Sequence, residues 1–157
     1  MKILVIEDNL DMAGFYKLWL GRVSDDVTVT GDLDHAMEII NEATDLITLD
    51  LNLSEHMRVD STLARISEIK LRAPNALIIV LTGAMQLDDQ CKALAAGADG
   101  FIHKSEANTE KTFFGKLAEW ASSIMGKPPV KMEQHLRVLE MIGKKTAEYF
   151  NENQKQQ

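Results

Sequence analysis

Ile3-Leu4-Val5-Ile6-Glu7-Asp8-Asn9 is the stretch on which the fold turns. Four apolar residues in a row fit a strand covered on both faces, and two acids follow at its carboxyl end. The same grammar recurs along the chain. Leu46-Ile47-Thr48-Leu49 runs into Asp50, Leu77 to Leu81 into Thr82-Gly83, and Phe101-Ile102-His103 into Lys104. In an open α/β sheet the carboxyl ends of the strands converge on one crevice, where ligands bind. The crevice expected here gathers three carboxylates, a hydroxyl and an ammonium.

Helical patterns separate these runs. Residues 10–22 read as a helix, with Met12, Phe15, Trp19 and, just past its end, Val23 on one stripe. Val27-Thr28-Val29-Thr30 alternates apolar and polar, as a half-exposed edge strand does. Asp32 is suited to cap a helix with Leu33, Ala36, Met37 and Ile40 inward. Ser61 or Thr62 is expected to cap the next, with Leu63, Ile66 and Ile69 inward and Pro74 as its stop. A helix from about Leu87 has Asp88 and Asp89 in its first turn, favourable for the helix dipole, and ends at Gly97. Cys91 is expected to be a small buried residue on it. Thr109 opens a further helix with Phe113, Leu117, Ala121 and Ile124 inward, closed by Gly126, Pro128 and Pro129. Trp19 and Trp120 read as core anchors flanking one sheet face. Five strand–helix units in alternation predict an α/β fold with a parallel sheet and right-handed crossovers.

The chain divides into residues 1–125, a Pro/Gly linker at 126–130, and a helical extension at 131–157 with a frayed end. The extension carries Met132, Leu136, Leu139, Ile142, Thr146 and Phe150 at helical spacing. Three roles stay open for it: packing on the first domain, self-association into a homodimer, and docking of another protein. With 17 basic and 24 acidic residues the net charge is -7, which argues against nucleic-acid binding. No apolar run approaches membrane length and no signal peptide is expected at the start. One cysteine excludes an internal disulfide, so a cytoplasmic protein is expected. The histidines at 35, 56, 103 and 135 lack metal-ligand spacing, and His56 reads as a loop residue beyond Asp50.

Carboxylates that share a pocket repel unless a cation intervenes. Mg2+ is the natural cation, since it takes oxygen ligands and needs only one or two carboxylates. An Asp can also act as a nucleophile and form an aspartyl phosphate. Asp50 as acceptor, Lys104 as cation and Thr82 as hydroxyl fit those needs.

The segments ending in Glu7-Asp8-Asn9, Asp50-Leu51-Asn52 and Thr82-Gly83, with Ala96-Gly97-Ala98-Asp99-Gly100-Phe101-Ile102-His103-Lys104, resemble the receiver domain of two-component response regulators over about residues 1–125. The resemblance implies a flavodoxin-like, doubly wound five-stranded parallel sheet in the order 2-1-3-4-5, here with an extra C-terminal helix. It implies that Asp50 accepts phosphate from a sensor histidine kinase or histidine phosphotransfer protein. Asp8 and Asp50 bind Mg2+ by side chains and Asn52 by its backbone carbonyl, while Glu7 holds a metal water. Lys104 contacts the phosphoryl group, Thr82 moves to it, and Phe101 turns inward. The product is a phosphorelay switch acting on an unknown output protein, not an enzyme in its own right. It is expected to stand alone, without a DNA-binding domain. The rival readings are a phosphorylation-independent scaffold or dimerisation module, and an aspartyl-phosphate phosphatase. The latter needs a second Asp where Asn52 stands.

Three departures from the family pattern stand out. Ser54 replaces a proline, residues 55–59 lack a glycine, and Ser105 replaces a proline after the lysine. A longer or differently shaped loop is expected at the first two, since Gly normally supplies φ > 0 cheaply. A trans bond is expected before Ser105, because cis before a non-proline residue costs about 2.5–4 kcal/mol.

Overall fold

The structure, a computed structural model, describes residues 1–53, 59–83, 87–125 and 132–154. The expectations for the loop after Asp50, for His56 and for the 126–130 linker lie outside these residues.

In chain order the elements are β1 (Lys2–Ile6), α1 (Leu10–Leu20), β2 (Asp26–Thr30), α2 (Leu33–Ile39), β3 (Leu46–Leu49), α3 (Val59–Arg72), β4 (Leu77–Thr82), α4 (Leu87–Ala96), β5 (Gly100–His103), α5 (Glu110–Met125) and α6 (Met132–Gln154). A short 3-10 turn, Lys104–Glu106, links β5 to α5. Among the described residues all strand pairings are parallel, as the strand–helix alternation predicts, and the order is β2-β1-β3-β4-β5, as the family resemblance implies. The central β3 and β4 are buried along their whole length, while β2 and β5 alternate. Apolar residues on both faces are what two-sided helix cover requires.

Side-chain alternation splits the interior into two clusters. Ile3, Val5, Ile79, Leu81 and Ile102 face α1, α5 and α6; Leu4, Ile6, Ile47, Leu49, Ile78 and Val80 face α2, α3 and α4. Both tryptophans belong to the first cluster, and Trp19 packs on Phe113 with ring centroids 5.3 Å apart. α6 lies along α5. Val138, Leu139, Ile142 and Thr146 are buried beneath it, and Tyr149 meets Phe114 at 5.2 Å between centroids. The helix continues to Gln154, past the point where fraying was expected.

Local rules account for most boundaries. Asn9 caps α1, its side chain accepting from the backbone N–H of Asp11 (3.1 Å) and Met12 (3.0 Å). Asp32 caps α2 in the same way, at 2.8 Å and 3.1 Å from Asp34 and His35. The Asp99 carboxylate accepts both from Lys70 Nζ (2.7 Å) and from the Ile78 N–H (2.8 Å), tying α3, β4 and β5 together.

Three expectations are corrected. α3 starts at Val59, so neither Ser61 nor Thr62 caps it, and Thr62 is a buried residue of the first turn. On α1 the inner stripe is Ala13, Tyr16, Trp19 and Leu20, while Phe15 is 49% exposed. A strictly apolar reading overlooks Tyr16, whose ring fills the space against Phe113. Cys91 is exposed, because α4 turns Ala93 towards the core instead.

The close approach of β5 to α5 depends on Gly100. A Cβ there would overlap the Trp120 indole, whose N–H donates to the Asp99 carbonyl at 3.0 Å. Gly100→Ala is therefore expected to destabilise the protein by about 1–3 kcal/mol, read as a lower urea midpoint with an unchanged slope. An unchanged midpoint would contradict this packing.

Candidate functional site

The sheet order puts the ends of β1, β3, β4 and β5 side by side. The Asp50 N–H donates to the Ile6 carbonyl and the Glu7 N–H to the Thr30 carbonyl, each at 2.9 Å, so the ladder continues into the acidic residues and fixes their direction. Glu7, Asp8 and Asp50 then offer carboxylate oxygens that all lie within 4.8 Å of one another. Glu7 and Asp50 are buried, at 2% and 5% exposure, whereas Asp8 is open to solvent.

Lys104 enters from the end of β5. Its Nζ lies 2.6 Å from Glu7 Oε2 and 2.6 Å from Asp50 Oδ2. The remaining oxygens serve the local turns: Glu7 Oε1 accepts from the Asn9 N–H at 3.2 Å, and Asp50 Oδ1 from the Asn52 N–H at 3.1 Å. Each buried carboxylate is thus held at both oxygens.

The electrostatics follow from burial. Desolvation raises the Glu7 pKa and the Asp50 charge adds to it, against the hydrogen bond and charge of Lys104. For Lys104, burial favours the neutral amine. The hydrogen bonds and charges of Asp50 and Glu7 outweigh it and hold the ammonium above the ordinary lysine range. The field reaches α1: the buried Tyr16 phenol is pushed up by desolvation and then by Glu7 and Asp50. Among the described residues, three carboxylates against one ammonium leave a formal charge of minus two. An all-oxygen donor set with that residual charge fits a hard divalent cation.

Thr82 is buried at the end of β4. Phe101 sits two pairs of residues back from that end on β5 and packs partly buried on the α2–α4 cluster. The Lys104–Ser105 bond is trans, as expected. Two neighbours escaped the sequence reading. A Cβ on Gly31 would stand 2.9 Å from Asp8 Cα, so the loop after β2 closes directly on the acidic pair. His103 bonds the loops on both sides of the lysine. The first could have been noticed as a glycine directly after an edge strand; nothing in the one-dimensional pattern singles out the second.

A sequence model of the response regulator receiver domain matches residues 3–112. The chain belongs to this family. Receiver domains of two-component systems are thus its relatives, and the expected fold is theirs. The cell cycle transcriptional regulator CtrA of Caulobacter vibrioides is 30% identical over 105 residues, 66% of this chain and 44% of that protein. The uncharacterized transcriptional regulatory protein YrkP of Bacillus subtilis is 26% identical over 109 residues, 69% and 45% respectively. This chain therefore spans less than half the length of either regulator. Among solved structures, a response regulator from Burkholderia pseudomallei is 27% identical, with TM-score 0.58, over 96% of this chain and 92% of that one. That protein carries a phosphorylated aspartic acid, a calcium ion and citrate. The chemotaxis protein CheY4 of Vibrio cholerae shares the fold at TM-score 0.62 and 19% identity, covering 75% of this chain and 96% of that one.

Two outcomes follow from the geometry. Because the folded pKa of Glu7 lies above its unfolded value, its contribution favours folding at low pH and is lost as pH rises through the raised pKa. In metal-free buffer the melting temperature of Glu7→Gln minus that of the wild type should grow as pH rises from about 4 to about 7. A constant difference would remove the argument from burial. Gly31→Ala must displace Asp8 and is expected to cost about 1–3 kcal/mol while also reducing stabilisation by Mg2+, measured by thermal melts with and without the ion.

Proposed function

We propose that this chain is a receiver that is phosphorylated on Asp50 in a cytoplasmic two-component relay. The observation that carries the reading is Asp50 buried at a strand end with Lys104 Nζ 2.6 Å away and Glu7 and Asp8 alongside. The donor is a phosphohistidine of a sensor histidine kinase or a histidine phosphotransfer protein. An Asp50 carboxylate oxygen attacks phosphorus, and the electron pair of the breaking P–N bond goes to the imidazole, which takes its proton from solvent.

Lys104 turns from the carboxylates to the incoming phosphoryl oxygens and neutralises part of their charge. Its present position between Glu7 and Asp50 keeps it within a short swing of that place. Asp8 and Asp50 side chains and the Asn52 carbonyl would hold Mg2+, with Glu7 holding one of its waters. When bound, the ion supplies charge neutralisation of the phosphoryl group. Thr82, next to this crevice, is assigned the hydroxyl that bonds the phosphoryl group, and Phe101 the aromatic that repacks with it. The result is a population shift between two packings, biased by a few charge-assisted hydrogen bonds. Residues 1–125 form this receiver unit, and α6 extends it. The signal leaves through contacts with another protein.

The decisive experiment is incubation with acetyl phosphate and Mg2+. A mass gain of one phosphoryl group per chain, lost in Asp50→Asn, is expected; no gain under any condition would leave a receiver-like scaffold as the better account. In the same protein, Mg2+ at about 100 times its Kd should stabilise the fold by about 2.7 kcal/mol. Asp8→Asn should abolish most of that gain, measured by thermal or urea unfolding.

A further inference from the structure

Where the receiver resemblance leads one to expect a proline after the lysine, this chain has Ser105, and its backbone lacks the ring that would stiffen the turn. The imidazole of His103 stands in that role. His103 ends β5 in extended conformation (φ -77°, ψ 131°) and caps the 3-10 turn Lys104–Glu106, its side chain accepting from the Ser105 N–H. The Ser105 N–H lies 3.3 Å from His103 Nδ1 and Ser105 Oγ lies 2.5 Å from it. On the other side of the ring, Nε2 lies 3.1 Å from the Gly83 carbonyl oxygen. One neutral tautomer satisfies all three contacts. Nδ1 accepts from Ser105, and Nε2–H donates to Gly83, whose carbonyl has no proton to give.

The placement is what makes this bracket consequential. Gly83 directly follows Thr82, and Thr82 is paired with His103 in the parallel ladder. The stem of Lys104 passes beside Gly83, at ordinary contact distance: a Cβ there would sit 3.9 Å from Lys104 Cδ. His103 therefore fastens the turn that begins with Lys104 to the backbone beside which the lysine stem passes. We propose that His103 is a positioning residue for phosphoryl transfer, aiming Lys104 Nζ at Asp50 by bracketing the β4–α4 and β5–α5 connections. This deepens the phosphoacceptor reading and rests on it. No proton is transferred by the imidazole; it acts through Lys104.

The test uses the full chain and His103→Ala, His103→Asn and His103→Gln. Asn keeps an acceptor near the place of Nδ1, and Gln puts a donor near the place of Nε2. Initial rates of Asp50 phosphorylation are measured across acetyl phosphate concentrations at saturating Mg2+. The maximal rate is expected to fall about tenfold in the Ala and Asn variants, with the half-saturating acetyl phosphate within about twofold of wild type, and Gln is expected to restore most of it. Competitive acetylation of lysines, read by mass spectrometry, serves as a second measure that needs no phosphorylation. Labelling of Lys104 is expected to rise several-fold in the Ala and Asn variants but not in Gln. Equal maximal rates in all variants would overturn the proposal. So would a loss in Ala that tracks its unfolded fraction, or Lys104 labelling that does not change. Failure of the wild type to be phosphorylated would defeat the reading of Asp50 instead, and Lys104 labelling would still decide whether His103 positions the lysine.

Discussion

A single ammonium held 2.6 Å from each of two buried carboxylates is the constraint on which the rest of this molecule depends. Burial and the neighbouring Asp50 charge both act against the charged form of Glu7, and the ammonium between the two carboxylates opposes them. The cation comes from Lys104, which is 97 positions from Glu7 in the chain and only the sheet topology brings it back. β3 sits between β1 and β4, and β5 closes the edge beside β4, so three strand ends present their side chains to one place. Had β5 paired at the other edge, beside β2, the ammonium would arrive on the wrong side of the acids.

The surroundings are organised to keep that arrangement taut. Each carboxylate spends its second oxygen on a backbone N–H of the turn that follows it, Asn9 for Glu7 and Asn52 for Asp50. Gly31 lets the β2–α2 connection lie against Asp8. The imidazole of His103 ties the lysine turn to Gly83. A divalent ion entering this site meets donors already oriented by backbone, with a residual formal charge of opposite sign to its own.

The fold was legible because it is written in local terms: apolar runs of strand length, caps such as Asp32, and acids at strand ends. The strand order came with the family resemblance, and the alternating β2 agreed with an edge. What could not be read depended on partners distant in sequence. Tyr16 is a core residue because Phe113 and Trp19 surround it, and Cys91 is outside because Ala93 is the residue that α4 turns inward. Helical periodicity alone cannot choose between faces one residue apart. Likewise the side chains of the acidic cluster were visible as types at strand ends, whereas Gly31 and His103 matter only through what they touch in three dimensions.

The sheet also divides the molecule into unequal halves. On one side α2, α3 and α4 form a single layer; on the other, α1 and α5 carry α6 on top. Tyr149 of α6 packs at a tilt on Phe114, and Glu110 at the start of α5 is paired with Arg22 beyond α1. Part of the outward side of α5 is consequently occupied by the chain's own helix. What stays open beside it is the groove that Phe101 and Ile102 of β5 form with Lys116, Glu119, Trp120 and Ser123 of α5.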